Sequence, residues 1–170
     1  ILGLVKEYKD YSNFSELKLD KMLANFVGRR RQEYPPYSSK PLFGKPLFEH
    51  ARKGHLSGVE IPSKIIEIYS ISHEEEISMR ESSFERLIIE RISRVQGDFR
   101  QRKIIKRWGE IFEIDHSKYF HMTRLKISCS TGTYMRSIAH ELGQEMKTGA
   151  IAYRIIREKV GEFVTQNSVR

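Results

Sequence analysis

The stretch CSTGTYMRSIAHELG, residues 129–143, joins a segment with the spacing of a strand to a segment with the spacing of a helix. Apolar residues partly alternate with polar ones before it, which predicts a strand over residues 119–130. Gly132 opens the segment that follows, and its apolar spacing predicts a helix ending near Met146. The stretch therefore predicts a strand, a small polar turn and a helix in succession, as in a mixed α+β fold.

Arg136 stands in the first turn of the predicted helix, where the helix dipole disfavours a positive charge. Ser130, Thr131 and Thr133 are of the types that cap helices, and the free N–H groups of a helix start favour a nearby anion. Two interpretations follow for Arg136. It pairs with a carboxylate or phosphate, or it is a solvated side chain on a well-capped helix, which is the commoner case.

The rest of the chain alternates between helical and strand-like patterns. Its predicted elements are a strand over residues 1–8, a helix from residue 12 or 15 to about 26, a short helix over 44–52, a strand over 65–71, helices over about 82–114 and a last strand over 150–160. Gly97 and Asp98 divide the long helical segment into a pair, for which we expect packing on the sheet with Trp108 in the core.

Composition indicates a soluble globular domain. The chain has 170 residues, of which 39% are hydrophobic and 31% are charged. No apolar run approaches the roughly 18 residues that cross a bilayer. Cys129 is the single cysteine, which we expect to be small and buried, and no zinc-binding spacing is present. We therefore expect no disulfide, no metal, no membrane segment and a cytoplasmic location.

Positive charge is concentrated towards the two ends of the chain. The net charge is +8, but residues 73–116 hold nine Lys/Arg and ten Asp/Glu, which argues against a primary RNA contact there. Arg29, Arg30 and Arg31 are compatible with a phosphate-binding patch or with a solvated helix end. The segment 73–76, His-Glu-Glu-Glu, is expected to be a solvated loop.

Three motifs resemble those of the tRNA pseudouridine-55 synthases, the TruB/dyskerin family. Residues 129–143 resemble C-S-K-G-T-Y-I-R-S-L-A-x-D-L-G, and residues 149–163 resemble G-A-H-L-x-x-L-R-R-T-x-V-G-x-F. Residues 26–54 resemble F-x-G-x-x-x-Q-x-P-P-x-Y-S-A-x-K-x-x-G-K-x-L-Y-E-x-A-R-x-G. The motifs occur in the family's order and cover nearly all of the chain except about residues 73–116.

The resemblance implies a fold and an activity. The expected fold is a mixed, largely antiparallel sheet with flanking helices, in which residues 1–170 form the C-terminal part of a catalytic domain with a helical insertion at about 73–116. The expected activity is isomerisation of uridine to pseudouridine in the T-loop of tRNA, at uridine 55, by a monomer without metal or organic cofactor. The uridine is flipped into a pocket, and an aspartate attacks it.

The resemblance also assigns site residues. Arg136 would pair with the nucleophilic aspartate and hold it ionised, Tyr134 would line the base pocket, and Ile155 would lie against the base. The further RNA or base-pocket positions are Tyr37, Ser38, Lys40, Gly132 and Arg157.

Several positions depart from the family pattern. Thr131, Ile151 and Ile156 replace a Lys, a His and the first Arg of a pair, and Pro41 stands where a Lys is usual. The G-x-L-D-P segment that carries the family's nucleophile is not among the 170 residues. We therefore expect a piece of a larger enzyme that is inactive alone. The alternatives are a non-catalytic RNA-binding or RNA-chaperone module and a protein-interaction domain.

Overall fold

The computed structural model describes Val5, residues 16–114 and residues 119–165, with the backbone alone for residues 16, 17 and 114. The predicted strand over residues 1–8 lies outside this part of the chain apart from Val5. In chain order the elements are α1 (Glu16–Ala24), β1 (Gly28–Glu33), β2 (Pro41–Leu42), β3 (Lys45–Pro46), α2 (Leu47–Arg52), β4 (Ser63–Arg80), α3 (Glu81–Ser93), α4 (Gln101–Ile114), β5 (Tyr119–Cys129), α5 (Met135–Glu145), β6 (Lys159–Val160) and β7 (Phe163–Val164).

The central sheet has the strand order β1-β4-β5, with β4 antiparallel to both neighbours. The β4–β5 pairing runs from Arg80 opposite Tyr119 to Ile68 opposite Cys129, and forms a long two-stranded ribbon. Two short hairpins, β2–β3 and β6–β7, are also antiparallel. The α+β class and the antiparallel sheet are therefore confirmed.

The main core lies where α1 and α5 pack against the end of the sheet near β1. Its buried residues are Leu19, Leu23, Phe26, Ile66, Ile68, Ile138 and Leu142. Burial of each such side chain contributes about 1.5–3 kcal/mol relative to exposure, so this cluster fixes α5 on the sheet. The start of α5, which carries Arg136, is thereby held beside β1 and β4.

A second core joins the helical insert to the far end of the β4–β5 ribbon. Its buried residues are Phe84, Ile88, Ile92, Ile104, Trp108, Ile111 and Phe112. Phe120 of β5 stacks on Phe84 with ring centroids 4.5 Å apart. The predicted helical pair, its break at Gly97 and Asp98, and the burial of Trp108 are confirmed, because their apolar spacing is local to each helix.

Three predicted segments differ in the structure. The predicted loop at residues 73–76 is wrong, because these residues lie within β4. There Arg124 of β5 pairs with Glu75, and His121 of β5 pairs with Glu76. These cross-strand partners stabilise a polar strand that has little strand-like patterning of its own. The helical insert consequently begins at Glu81, not at residue 73.

The other two differences concern Arg29–Arg31 and residues 150–160. The three arginines lie in β1 and not at a helix end, because β1 gains its hydrogen bonds from β4, which is distant in sequence. The predicted strand over 150–160 is limited to β6, and the preceding residues have no regular structure. Among the described residues, no helix is long and apolar enough to cross a membrane.

Candidate active site

The side chain of Gln32 holds Tyr134 at the start of α5. Gln32 is 2% exposed. Its Oε1 accepts a hydrogen bond from the Tyr134 backbone N–H at 2.8 Å, and its Nε2 donates to the Tyr134 carbonyl oxygen at 3.3 Å. One buried amide thus binds both backbone polar groups of Tyr134, whose carbonyl also accepts from the N–H groups of Ser137 and Ile138. These bonds set the position from which Arg136 extends.

The turn before α5 is tied to β4 and not to the helix that follows. The Glu67 N–H donates to Ser130 Oγ at 2.9 Å, and the Ser130 N–H donates to the Glu67 carbonyl at 2.8 Å. Thr133 Oγ1 donates to the Ser130 carbonyl at 2.8 Å. The N-cap is Tyr134, with no side-chain capping bond. The predicted capping by Ser130, Thr131 or Thr133 is therefore wrong, because the Ser130 and Thr133 side chains form hydrogen bonds to β4 and within the turn instead.

Gly132 lies in this turn with a φ of +75°, a conformation that favours glycine. A Cβ at this position would overlap Nζ of Lys64, which donates a hydrogen bond to the Thr131 carbonyl at 3.4 Å. Gly132 therefore serves both the left-handed backbone of the turn and the close approach of a lysine. Lys64 was missed by sequence reasoning, since it lies at the start of β4 outside the recognised motifs.

Two tyrosine rings and two lysines gather beside the start of α5. Tyr34 and Tyr134 meet edge to face with centroids 5.7 Å apart. The ammonium of Lys40 lies 5.1 Å from the Tyr34 centroid, and that of Lys64 lies 6.0 Å from both centroids. The predicted residues Tyr134 and Lys40 are thus brought together through Tyr34, which the sequence did not single out. This arrangement offers ring surfaces to a base and positive charge to its phosphates.

Arg136 is half-buried and extends towards the loop that precedes β2. Its Nη2 donates to the Tyr37 carbonyl oxygen at 3.5 Å, a long and weak hydrogen bond. No carboxylate of the described residues forms an ion pair with it. Pairing of Arg136 with an aspartate therefore stays a prediction.

The loop that contacts Arg136 is anchored to α2. The Phe48 N–H donates to the Ser38 carbonyl at 3.1 Å, and the Leu47 N–H donates to the Lys40 carbonyl at 2.8 Å. Ser38 is 4% exposed, and its Oγ has no partner within the described part of the chain. The anchored backbone leaves the Tyr37 ring exposed beside the site.

Ile155 and Arg157 lie in the irregular segment that follows α5, and both are exposed. The Arg157 carbonyl accepts a hydrogen bond from Thr165 Oγ1 at 2.5 Å. No hydrogen bond, ion pair or ring contact between described residues joins either side chain to Tyr134 or Arg136. The assignment of Ile155 and Arg157 to the base pocket therefore stays a prediction.

The arginines of β1 have different surroundings. Arg30 donates to Glu141 of α5 at 2.7 Å and lies 4.2 Å from the Phe26 ring centroid, so it joins the strand to the helix. Burial raises the pKa of Glu141, and the nearby Arg30 opposes that rise. Arg31 Nε donates to Ser63 Oγ at 2.5 Å. Arg30 is therefore a structural residue, and exposed Arg29 is the better candidate for a phosphate.

Cys129 is only partly buried and packs against the main core, so the expected burial is incomplete. Within residues 16–114 and 119–165, no three His, Cys, Asp or Glu side chains lie close enough together to hold a metal ion.

Comparison with known proteins identifies the family. Residues 3–89 match the profile of the TruB family pseudouridylate synthase (N terminal domain). The chain is 30% identical over 166 residues to tRNA pseudouridine synthase B of Carboxydothermus hydrogenoformans. The aligned region covers 98% of the chain and 44% of that protein. It is 28% identical over 153 residues to tRNA pseudouridine synthase B of Blochmanniella pennsylvanica, with 89% and 41% covered. The chain thus spans less than half the length of these curated relatives, and it belongs to the TruB family of pseudouridylate synthases.

Proposed function

We propose that this protein isomerises uridine to pseudouridine in tRNA. The observation that carries the proposal is the placement of Tyr134 and Arg136 at the start of α5, held by Gln32 beside Tyr34 and Lys64. The relatives named tRNA pseudouridine synthase B support tRNA as the substrate. We further propose that the target is uridine 55 in the T-arm of tRNA. We also propose that the enzyme is a monomer and that it is located in the cytoplasm.

Base flipping is the first step that the site supports. Removing a uridine from its stack costs a few kcal/mol and least in a loop, and contact with aromatic rings offsets that cost. Tyr34 and Tyr134 supply such rings, and Lys40 and Lys64 supply positive charge for the flanking phosphates. The extruded base would thus lie close to the start of α5, where Arg136 is.

Arg136 has the chemistry to hold a catalytic carboxylate. A guanidinium forms two parallel hydrogen bonds to a carboxylate, which are shorter and stronger than neutral bonds. Its present bond to the Tyr37 carbonyl is weak, so little is lost when a carboxylate replaces it. The nucleophilic aspartate that the family resemblance implies is held ionised and aimed by Arg136, and it attacks the nucleotide. The glycosidic bond then breaks, the uracil turns, and its carbon 5 forms a bond to the sugar. Formation of that bond releases the aspartate, carbon 5 loses its proton, and N1 gains one.

The test is Arg136→Lys in the full-length protein with a tRNA transcript. Lysine keeps the charge but cannot form the two parallel bonds, so we expect the single-turnover rate of pseudouridine formation to fall by about 100-fold or more. We expect tRNA affinity to change by only a few fold, since overall charge is unchanged. Pseudouridine is measured by mass spectrometry of the RNA and affinity by filter binding.

Arg86→Lys is the matched control, because Arg86 is exposed on α3 and has no role in the site. It should retain the wild-type rate. A near-normal rate for Arg136→Lys would remove the role assigned to Arg136. Tight tRNA binding by the wild type without any pseudouridine would instead support a non-catalytic RNA-binding module.

A further inference from the structure

The turn between α3 and α4 brings the helical insert into contact with the candidate active site. Arg100 Nη1 donates to the Tyr37 hydroxyl oxygen at 2.5 Å, and its guanidinium carbon lies 4.3 Å from the centroid of that ring. The Tyr37 carbonyl also accepts the hydrogen bond from Arg136. The insert therefore touches the loop that contacts the candidate catalytic arginine, although its helices pack on the far end of the ribbon.

The turn is held in one conformation by its own side chains. Gln101 Nε2 donates to the Val95 and Gly97 carbonyls at 2.9 and 2.6 Å, and Gln101 Oε1 accepts from the Phe99 N–H at 2.8 Å. Arg100 has a φ of +64°, a left-handed conformation that non-glycine residues rarely adopt. These bonds hold Arg100 in that unfavourable conformation and fix the direction in which it and Phe99 point.

Exposed aromatic rings and guanidinium groups alternate at this junction. Phe99 is 53% exposed, although it is large and apolar. The Arg52 guanidinium lies 5.9 Å from the Phe99 centroid, and Arg100 lies over Tyr37. Tyr37, Arg52, Phe99 and Arg100 together form what we call the junction surface. Interleaved arginines and exposed aromatic rings are typical of surfaces that bind unpaired nucleotides.

The first turns of α4 extend the positive charge of the junction surface. Arg102, Lys103 and Lys106 are exposed, and none forms an ion pair with a residue in the described ranges. The first turn of α4 holds no acidic residue, although acidic residues are favoured there. The summed charge of the insert is nearly zero and does not show this positive region. Several of the acidic residues that balance it lie on α3 and not in the first turn of α4.

We propose that the junction surface is a second RNA contact, in which Phe99 stacks on an unpaired base and Arg52, Arg100 and Arg102 contact phosphates. The identification of RNA as the ligand rests on the proposed function. The class of RNA is a loop, since a base within a duplex is stacked on its neighbours and its ring face is not available to Phe99. The insert thereby extends the interface beyond the uridine pocket towards neighbouring loop nucleotides.

The experiment measures binding of an RNA hairpin with an unpaired loop, and of a duplex of the same length, to the full-length protein. Stacking on an aromatic ring contributes about 1–3 kcal/mol per base, so Phe99→Ala should raise the Kd for the hairpin by about 5- to 150-fold. Its effect on the duplex should be much smaller. Arg102→Gln should lower the slope of log affinity against log salt by roughly 0.7.

Arg100→Asn tests the turn without adding strain, because asparagine tolerates positive φ better than most residues. It should weaken hairpin binding in the same direction as Phe99→Ala. Urea unfolding of each variant shows whether its fold is intact.

Two exposed residues of α3 provide matched controls in the same insert. Ile89→Ala corresponds to Phe99→Ala and Arg86→Gln to Arg102→Gln, and both should bind the hairpin like the wild type. Wild-type affinity and salt slope in folded Phe99→Ala and Arg102→Gln would overturn the inference, as would equal losses in the α3 controls. Failure of the wild type to form pseudouridine would contradict the proposed function. Hairpin binding that depends on Phe99 would still support the second RNA contact in that case.

Discussion

At the scale of single residues, Gly132 shows how a motif position serves two purposes. Its positive φ forms the turn before α5, and its missing side chain leaves room for Lys64 beside two tyrosine rings. The motif predicted a glycine site at this turn, but the lysine that uses the space comes from β4. Gly132 therefore allows both the left-handed turn before α5 and the position of the Lys64 ammonium in the candidate site.

We predict that Gly132→Ala lowers the free energy of unfolding and displaces Lys64. The left-handed backbone costs roughly 1–2 kcal/mol with alanine. The overlap is with the flexible end of Lys64, which moves aside at little cost in stability. Pseudouridine formation should fall more than stability alone explains. Urea unfolding and single-turnover rates measure the two effects.

Gly58→Ala is the matched control, since Gly58 has a φ of +74° and no neighbour within 4 Å of its added Cβ. It should show the backbone cost without a loss of rate. Equal losses of stability in both variants, with full activity in both, would show that the Lys64 contact has no role.

At the scale of elements, α5 depends on a close approach at Gly143. A Cβ there would overlap backbone atoms of Gly149 and Ala150, and the N–H groups of Thr148 and Gly149 donate to the Gly143 carbonyl at 3.2 and 3.0 Å. The segment after α5 thus folds back directly onto the helix. This contact sets the direction in which the chain leaves α5 towards Ile155.

We predict opposite effects for two glycine-to-alanine changes within helices. Gly143→Ala should lower the free energy of unfolding by about 1–3 kcal/mol, because backbone atoms must move to admit the methyl group. Gly109→Ala in α4 should raise it by about 0.5–1 kcal/mol, since its added Cβ meets nothing within 4 Å and alanine favours the helix. Urea unfolding compares them, and stabilisation by both changes would contradict the close approach at Gly143.

At the scale of the whole molecule, one long ribbon carries two hydrophobic cores. Ile66 and Ile68 of β4 belong to the core with α1 and α5, whereas Met79 packs against the core of the insert. Because β4 and β5 pass through both regions, loss of one core removes strand pairing that supports the other. We therefore expect the two regions to unfold together.

We predict that Ile88→Ala destabilises the whole molecule by about 2–5 kcal/mol, since Ile88 is 0% exposed in the core of the insert. Trp108 fluorescence, which reports the insert, and far-UV circular dichroism should shift to the same lower urea midpoint. Ile89→Ala, next to it and 37% exposed, should change stability by under about 0.5 kcal/mol. A fluorescence transition that shifts alone would show that the insert unfolds independently.

Local sequence patterns were sufficient to predict many secondary-structure elements and several candidate site residues of this protein. Periodic apolar residues predicted β5, α5, the helical pair and the burial of Trp108, because a helix or strand shows its spacing within one segment. The motifs predicted Gly132, Tyr134 and Arg136 at a turn and helix start, where the structure places them.

Only the tertiary structure determined which residues that are distant in sequence contact each other. The strand character of Glu75 and Glu76 depends on Arg124 and His121 across the sheet. Gln32 reaches Tyr134, 102 residues away along the chain, and Arg100 reaches Tyr37, 63 residues away. Side-chain hydrogen bonds act over about 3 Å in space whatever the separation in sequence, so only the folded chain could show which groups meet.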